Sequence, residues 1–593
     1  MAIVRFIEYR IRLIDQPKFF MNKSNWILKE LHLDTVDKLV AEFNIPSSIA
    51  SVMSLRGLSD RQDSIDFFRP SLDKLHDPFL MTDMDKAVSR VLDQIKKKNK
   101  IMIFGDYDVD GVTSTSCLYL FFQSINHPIS YYIPHRDLDG YGLSKRGIDY
   151  AKDIGASLII TCDCGISAFN EIEYAKENSI DVIVTDHHKP SEKIPSCSAV
   201  INPNRQDCNY PFKGLCGAGV AFKLIQALIS KLDIDSEILM EITDFVTLGI
   251  IADVVPMQDE NRAIAFHGMK RIRNGKSIGI RSLIESSNMK PEEVRVGQLA
   301  FWIIPKINAA GRIGDASRAV KLMISNNLVY SRKIAIELEK ENEKRKNITF
   351  NMQLEAEAMV DSRDNLENEN GIVLFSENWH PGVVGIVASR IKEKYNRPTI
   401  VISVDDGIGK GSCRSIPSFD IVSGLDECSE FLTGYGGHPM AAGLTAQEGV
   451  LSSFQKKFIE ISNQMIEASD LVPYIYIDIE MKLEDINSRM LKFLDSLEPY
   501  GPKNPRPVFM SKEVRVVDND ARIIGKDNTT VKFIVSQDDI EIEVIGFNMI
   551  ECYEMLLAER KLDLVYCIGV NTWGGKETVQ LELKEIRFTD EKN

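Results

Sequence analysis

Residues Val182–Pro190 read VIVTDHHKP, four β-favouring residues that run without a spacer into an acid and two adjacent histidines. Val182, Ile183, Val184 and Thr185 carry no polar alternation, the pattern of a short strand buried on both faces. Asp186, His187 and His188 stand where that strand ends. Adjacent residues of an extended chain point to opposite sides. The two histidines therefore have different jobs unless the chain turns between them, one binding a metal and the other facing a ligand. A lone histidine pair is also what an ordinary surface or a satisfied core contains, so the rest of the chain decides.

The strand signal recurs. IMIF at 101, ISYYI at 129, SLII at 157, VIV at 182 and AVI at 199 alternate with helix-like segments such as STSCLYLFFQSI and FNEIEYAKENS, which predicts a parallel sheet wrapped by helices. Polar clusters follow the strands: Asp106 to Asp110, His135 with Arg136, Asp163, and Asp186 to His188. Open α/β sheets bind ligands beyond the carboxyl ends of their strands, so these clusters converge on one edge.

Between about 215 and 330 the pattern is mainly helical and carries LGIIADVVPM and IPKINAAGRIGDASRA. A charged helix follows, with Ile334, Leu338, Ile348, Met352, Ala356 and Met359 as a narrow apolar stripe, long enough to bridge two domains. A second α/β unit begins near Gly371 and carries the glycine-rich loops GIGKGSCRS and GYGGHPMAAG. After about 465 short strands separated by turns suit a five-stranded barrel of the OB type. The expected class is α/β, with a helical lead-in over 1–80, a parallel-sheet domain over 81–330, a connecting helix over 331–365, a smaller α/β domain over 366–464 and a β-barrel over 465–593.

Composition sets the bounds. The 593 residues are 44% hydrophobic and 26% charged, as in folded globular chains. No run approaches the roughly 18 apolar residues of a membrane span, and Arg5, Glu8, Arg10 and Arg12 interrupt the N-terminal stretch, so a cytoplasmic protein is expected. Ten scattered cysteines do not read as a disulfide framework, and Cys162-x-Cys164 lacks a second pair at zinc-ligand spacing. The formal charge of −15 argues against indiscriminate polyanion binding. It leaves room for a local basic groove and for acids that a cation would neutralise.

GDYDVDG places Asp106, Asp108 and Asp110 at alternate positions after a strand. Carboxylates this close repel one another, and a cation relieves the repulsion. The glutamate that would complete an EF-hand loop is missing. With Asp163, Asp186, His187 and Asp253 the set is rich in oxygen and poor in imidazole, which suits Mn²⁺ or Mg²⁺ better than zinc. More carboxylates than one ion needs suggests two ions, the arrangement that serves in-line displacement at phosphorus.

The ordered series GDYDVDG, TCDCG, TDHH, GIIADVVP, NAAGR, GSCRS and GGHPMAAG resembles the DHH phosphoesterase superfamily, and within it the bacterial single-strand-specific 5′ to 3′ DNA exonucleases. The resemblance runs from about Asp77 into the C-terminal barrel. It implies Asp106, Asp108, Asp110, Asp163, His187 and Asp253 as metal ligands, with Asp186 as a supporting carboxylate and His188 facing the scissile phosphate. It implies Arg136, Asn308 and Arg312 near a terminal 5′ phosphate, and Arg390, Ser412, Arg414 and His438 of a DHHA1-like domain as DNA contacts. In the barrel, Arg522, Lys526, Lys532, Phe533 and Trp573 are candidates to track the strand. Val109 stands where the family pattern has alanine, and Lys503 where it leads one to expect glycine.

The implied activity is two-metal hydrolysis of single-stranded DNA to mononucleotides in recombination and repair, by a monomer working beside a single-strand-binding protein and a RecQ-type helicase, without a membrane. Two other readings remain open at this point. A small-substrate phosphodiesterase or pyrophosphatase would need only the first two units, and a non-catalytic replication scaffold would have lost the acids, which are all present here.

Overall fold

The computed structural model describes residues 24–589 apart from 137, 364–365, 518–519, 526–527, 559 and 574–575. The chain forms two compact units.

One unit comprises Asp60–Phe350 with Asp495–Arg506. Its sheet contains β1 (Lys100–Phe104), β2 (Ile129–Tyr132), β3 (Ala156–Cys162), β4 (Asp181–Thr185) and β5 (Ala199–Ile201), all parallel in the order β2-β1-β3-β4-β5. Ile101, Ile103, Leu158, Ile160 and Ile183 pack on one face, and Met102, Phe104, Ile159, Val182 and Val184 on the other. Both faces are covered, which is why these strands are continuously apolar. Each such side chain contributes about 1.5–3 kcal/mol on burial.

The first face is covered by α1 (Val109–Ser124) and α3 (Gly217–Leu232), against which α4 (Thr243–Ala252) packs; α2 (Lys145–Asp153) covers the second. Further along are α5 (Ile304–Ile313), α6 (Ser317–Met323) and α7 (Leu328–Asp361), the last carrying the chain out of this unit. A one-turn π-helix, Leu299–Ile303, leads into α5. The 495–506 segment is tied to this unit by Arg262, which donates to the carbonyls of Leu497, Glu498 and Pro499 and stacks on Phe67. Lys503 in that segment has φ 65°, the left-handed conformation for which glycine is suited.

The other unit gathers residues 24–59, 351–494 and 507–589. Its first sheet contains β6 (Ile372–Ser376), β7 (Thr399–Asp405), β8 (Ile408–Arg414), β9 (Leu432–His438) and β10 (Ala441–Gln447) in the order β9-β10-β8-β7-β6. The helix α8 (Val384–Tyr395) packs on β7 and β8. A second sheet holds the strands Phe509–Val516, Thr530–Gln537, Ile540–Gly546, Leu562–Trp573 and Lys576–Phe588. Phe509–Val516 pairs along Leu562–Trp573 and also, through Arg515 and Val516, with Thr530–Gln537.

The helical lead-in expected over 1–80 contains a strand. Asn25–Leu28 pairs in parallel with Tyr474–Ile477, and Lys29 reaches the buried Asp478 at 2.8 Å. Four residues of NWIL carry no periodicity of their own, and only a partner some 450 positions away makes them a strand.

Candidate metal centre and nucleic-acid contacts

Each acid of the cluster is delivered by the end of an element. Asp106 follows β1. Asp108 caps α1, its Oδ1 accepting from the Asp110 and Gly111 amides at 3.0 and 3.1 Å. Asp110, inside the first turn of α1, accepts from the Gly217 and Ala218 amides at the N-terminus of α3 at 2.5 and 2.9 Å. Asp163 follows β3 with φ 60°, and Asp253 closes the C-terminus of α4. Two glycines leave room for them: a Cβ on Gly217 would lie 2.6 Å from Asp163 Cβ, and one on Gly249 2.5 Å from Asp110 Oδ1.

Asp186 and the two histidines resolve the VIVTDHH stretch. Asp186 Oδ1 accepts from the His187 and His188 amides at 2.7 and 3.0 Å and meets His188 Nδ1 at 2.8 Å, while Oδ2 accepts from the Ile166 amide. Fully hydrogen-bonded, it fixes the turn that separates the rings. His187 Nε2 points into the acids, 3.1 Å from Asp163, 3.6 Å from Asp253 and 3.9 Å from Asp110. The other ring, His188, bonds Asp186 through Nδ1 and leaves Nε2 3.5 Å from the Tyr141 hydroxyl.

Ligand atoms fall into three overlapping groups, Asp106 with Asp108 and Asp163, Asp110 with His187 and Asp253, and Asp163 with His187 and His188, each within 4.8 Å. Asp106 Oδ1, Asp163 Oδ1 and His187 Nε2 are buried with no hydrogen-bond partner. Buried polar atoms are otherwise almost always satisfied. Orphans of two acids and one imidazole in a single cluster are what a divalent cation with oxygen-rich coordination would satisfy.

Electrostatics agree. Burial, followed by the neighbouring carboxylates, raises Asp106 and Asp163 well above the usual range, Asp110 to about 6 and Asp253 to about 8. His187 is pushed down to about 4 by burial and by His188, which keeps it neutral as a metal ligand requires. Burial also opposes the charge on His188, but the hydrogen bond and charge of Asp186 outweigh it and raise the ring to about 9.

Beside the cluster, Arg136 lies 5.6 Å from the centroid of the Tyr107 ring, which meets Tyr141 edge-on at 6.3 Å. Arg312, on α5, is lowered to about 10 by burial and by the nearby cations Arg136 and Arg345. Two arginines and a third cation held together against repulsion form a ready anion site. Asn308 sits one turn before Arg312, its Oδ1 accepting from the Val109 amide at 3.2 Å, so it braces the acidic loop. Tyr107 and Tyr141 are absent from the sequence-derived set. Tyr107 lies inside GDYDVDG and Tyr141 in the loop that follows His135 and Arg136, but a tyrosine carries no ligand signal by itself.

Within the other unit, Arg414 bonds the hydroxyls of Ser389 and Ser412, and Arg390 bonds Gln353. Arg414, Ala441 and His438 stand in register across β8, β10 and β9, as do Ser412, Gly443 and Gly436 in the next row. The result is a floor nearly stripped of side chains beside an arginine and a histidine, where a phosphate chain can approach the backbone.

The candidates of the C-terminal sheet fare differently. Phe533 is completely buried, on the inner face with Val531 and Val535, and is a core residue. Arg522 pairs with Asp520 at 2.7 Å and Lys532 with Glu543 at 2.8 Å, so their charges are already engaged. Lys526 and the Trp573 side chain lie outside the described residues. All ten cysteines are free and are not among the ligand groups.

Family models match as the DHH family N-terminal domain at 100–250, the DHHA1 domain at 368–464 and the RecJ OB domain at 477–585. The single-stranded-DNA-specific exonucleases RecJ of Bacillus subtilis and Dickeya dadantii are each 35% identical, over 96% and 92% of this chain and 71% and 97% of their own. The Thermus thermophilus RecJ structure in complex with Mn²⁺ superposes with a TM-score of 0.82 at 26% identity, covering 96% of this chain and 80% of that one; the Mg²⁺ complex gives 0.75 at 25%, covering 95% and 78%. The orphaned acid and histidine atoms thus lie in a fold whose solved relatives hold those two cations, and the chain belongs to the RecJ family.

Proposed function

We propose that this chain is a single-stranded-DNA-specific exonuclease that removes mononucleotides from the 5′ end, with Asp106, Asp108, Asp110, Asp163, His187 and Asp253 holding two Mn²⁺ or Mg²⁺ ions. The observation that carries it is the trio of buried, partnerless ligand atoms on Asp106, Asp163 and His187. When bound, the ions supply Lewis acidity to the phosphate oxygens and make water a competent nucleophile at neutral pH.

The chain's own groups supply the rest. His188, protonated and held by Asp186, offers Nε2 to a phosphate oxygen, and its charge stabilises the negative charge that gathers in the transition state. Arg136 and Arg312 grip the terminal 5′ phosphate, which sets polarity by placing the first phosphodiester over the acids. Ser412, Arg414 and His438, with Arg390, take the strand backbone over the glycine floor of their own domain. The family relationship supports a place in recombination and repair, with a single-strand-binding protein and a RecQ-type helicase as partners of a cytoplasmic monomer. Among the described residues no helix is long and apolar enough to cross a membrane.

The test is digestion of a long single strand labelled at either end, with Mn²⁺, against duplex and dinucleotide controls and against Asp163→Ala. Label released as mononucleotide from the 5′ end of single strands, and abolished by the substitution, is the expected result. Hydrolysis restricted to the dinucleotide would defeat it.

A further inference from the structure

A cavity of about 500 Å³ opens along the outer edge of β2, and none of the cluster residues lines it. Five consecutive residues, Ile129 to Ile133, border it, which is possible only if the strand meets the cavity edge-on, because a face would show alternate residues. The backbone agrees. Pro128 and Tyr132 give their carbonyls to the Ile101 and Gly105 amides on the β1 side. Residues 129, 131 and 133 therefore turn their N–H and C=O groups outward, and β2 is an edge strand.

The walls are aromatic. Tyr119 meets Tyr131 edge-on at 5.6 Å, and Tyr150 lies 5.5 Å from Tyr132. Among the described residues the hydroxyls of Tyr119, Tyr131 and Tyr150 have no hydrogen-bond partner, whereas that of Tyr132 is bonded to Asp139. Both lining carboxylates are spoken for: Asp139 accepts from Tyr132 and the His135 amide, and Asp315 from the amide and hydroxyl of Ser317. The cations are not. Lys321, on α6, has no ion-pair partner among the described residues, and Arg146 has only Asp139 at 3.9 Å.

We infer that this cavity is a second, metal-independent nucleotide site that takes a nucleoside 5′-monophosphate. The adjacent N–H and C=O of Tyr131 match the acceptor and amino donor on the edge of adenine or cytosine. Tyrosine rings flank the base, their free hydroxyls reach the sugar, and Lys321 with Arg146 meets the phosphate. The site is independent of the exonuclease reading, which adds only that mononucleotides would be abundant beside it. His135 and Asp139 line the cavity, while Arg136 and Tyr141 of the same loop reach Tyr107 and His188. An occupant of the cavity thus touches the loop that carries the phosphate-gripping arginine.

The experiment is calorimetric titration of dAMP into the full chain in EDTA, with wild type, Tyr150→Ala, Lys321→Glu and Arg312→Ala. Both pocket side chains are exposed on the surface, and neither belongs to the catalytic machinery. Binding should persist in wild type and Arg312→Ala and weaken at least about 10-fold in each pocket variant, as loss of a stacking ring or of a phosphate cation requires. The pocket variants should still digest single strands. No heat in EDTA, or heat lost in Arg312→Ala and kept in both pocket variants, would overturn the site. Should wild type bind dAMP in this pattern but fail to digest DNA, the site would stand and the exonuclease assignment would fall.

Discussion

Replacing Asp163 by asparagine should stabilise the ion-free protein while destroying its activity. Asp163 is 3% exposed and has ligand atoms of Asp106 and Asp108 within 4.8 Å. At an effective dielectric of about 20, two like charges at that separation repel by roughly 3 kcal/mol. Asparagine keeps the shape, removes the charge, and gives up the 3.1 Å approach of His187 Nε2. A net gain of about 1–3 kcal/mol remains, equivalent to roughly 2–6 °C in a unit of this size. Thermal unfolding in EDTA reads that gain directly. In Mn²⁺ the order reverses: at a thousandfold excess over its dissociation constant wild type gains about 4.1 kcal/mol, and the variant, short of a shared ligand, gains little. Its nuclease rate should fall at least about 100-fold, the share of a barrier that one such ligand supports. A variant that melted lower than wild type in EDTA and kept its full Mn²⁺ shift would refute the assignment of Asp163 to a cation site built on repulsion.

Other substitutions test the scaffold. Asp244, fully buried, has its carboxyl raised to about 6 by burial despite the Ser277 hydroxyl at 2.5 Å. Because the folded form then binds the proton more tightly than the unfolded one, its contribution is present below pH 4 and is lost as pH rises to 6, about 3 kcal/mol in all; melting curves of Asp244→Asn should lack that component relative to wild type. Lys223 and Glu260 pair at 2.8 Å with side chains 0% and 1% exposed, Glu260 also accepting from Tyr210. Lys223→Met strands that carboxylate and should cost about 3–5 kcal/mol by denaturant titration, with much of it recovered when Glu260→Gln is added. Lys503→Gly relieves a left-handed lysine at φ 65° and should raise stability by about 0.5–1 kcal/mol, the left-handed penalty less the extra chain entropy of glycine. A loss of stability there would mean that the lysine side chain holds the 495–506 segment.

The acid cluster was legible because its residues sit at strand ends, where sequence adjacency and spatial adjacency coincide. Three short apolar runs, each followed by a polar cluster, place Asp106, Asp163, Asp186 and His187 on one edge by topology alone. The same logic fails in the C-terminal sheet. There Phe533, a candidate to track the strand, occupies the inward phase of a strand in which Val531 and Val535 are also buried. Period two was available in TVKFIVSQ, and it assigns Phe533 to the core. Arg522 and Lys532 looked like free cations because their partners, Asp520 and Glu543, become neighbours only when the chain turns or the strands pair. Tyr107 and Tyr141 were missed for the opposite reason, since their place beside Arg136 and His188 depends on loop conformation.

Backbone groups meet part of the cost of gathering these acids. Amides at the first turns of α1 and α3 hydrogen-bond Asp108 and Asp110, and the positive ends of those helices favour the carboxylates. Asp186 is satisfied by three amides and an imidazole. What remains is strain. Asp163 has φ 60°, and Val254, directly after Asp253, has φ 56°, a conformation that a β-branched residue rarely adopts. One outlier is an acid of the cluster and the other directly follows one, on elements far apart in sequence. The acids that the backbone satisfies sit at helix N-termini or in the DHH turn, whereas Asp106 and Asp163 keep an unpaired oxygen. A cation would satisfy those two oxygens, and the amides that orient Asp108 and Asp110 leave their carboxylates lone pairs to share with it.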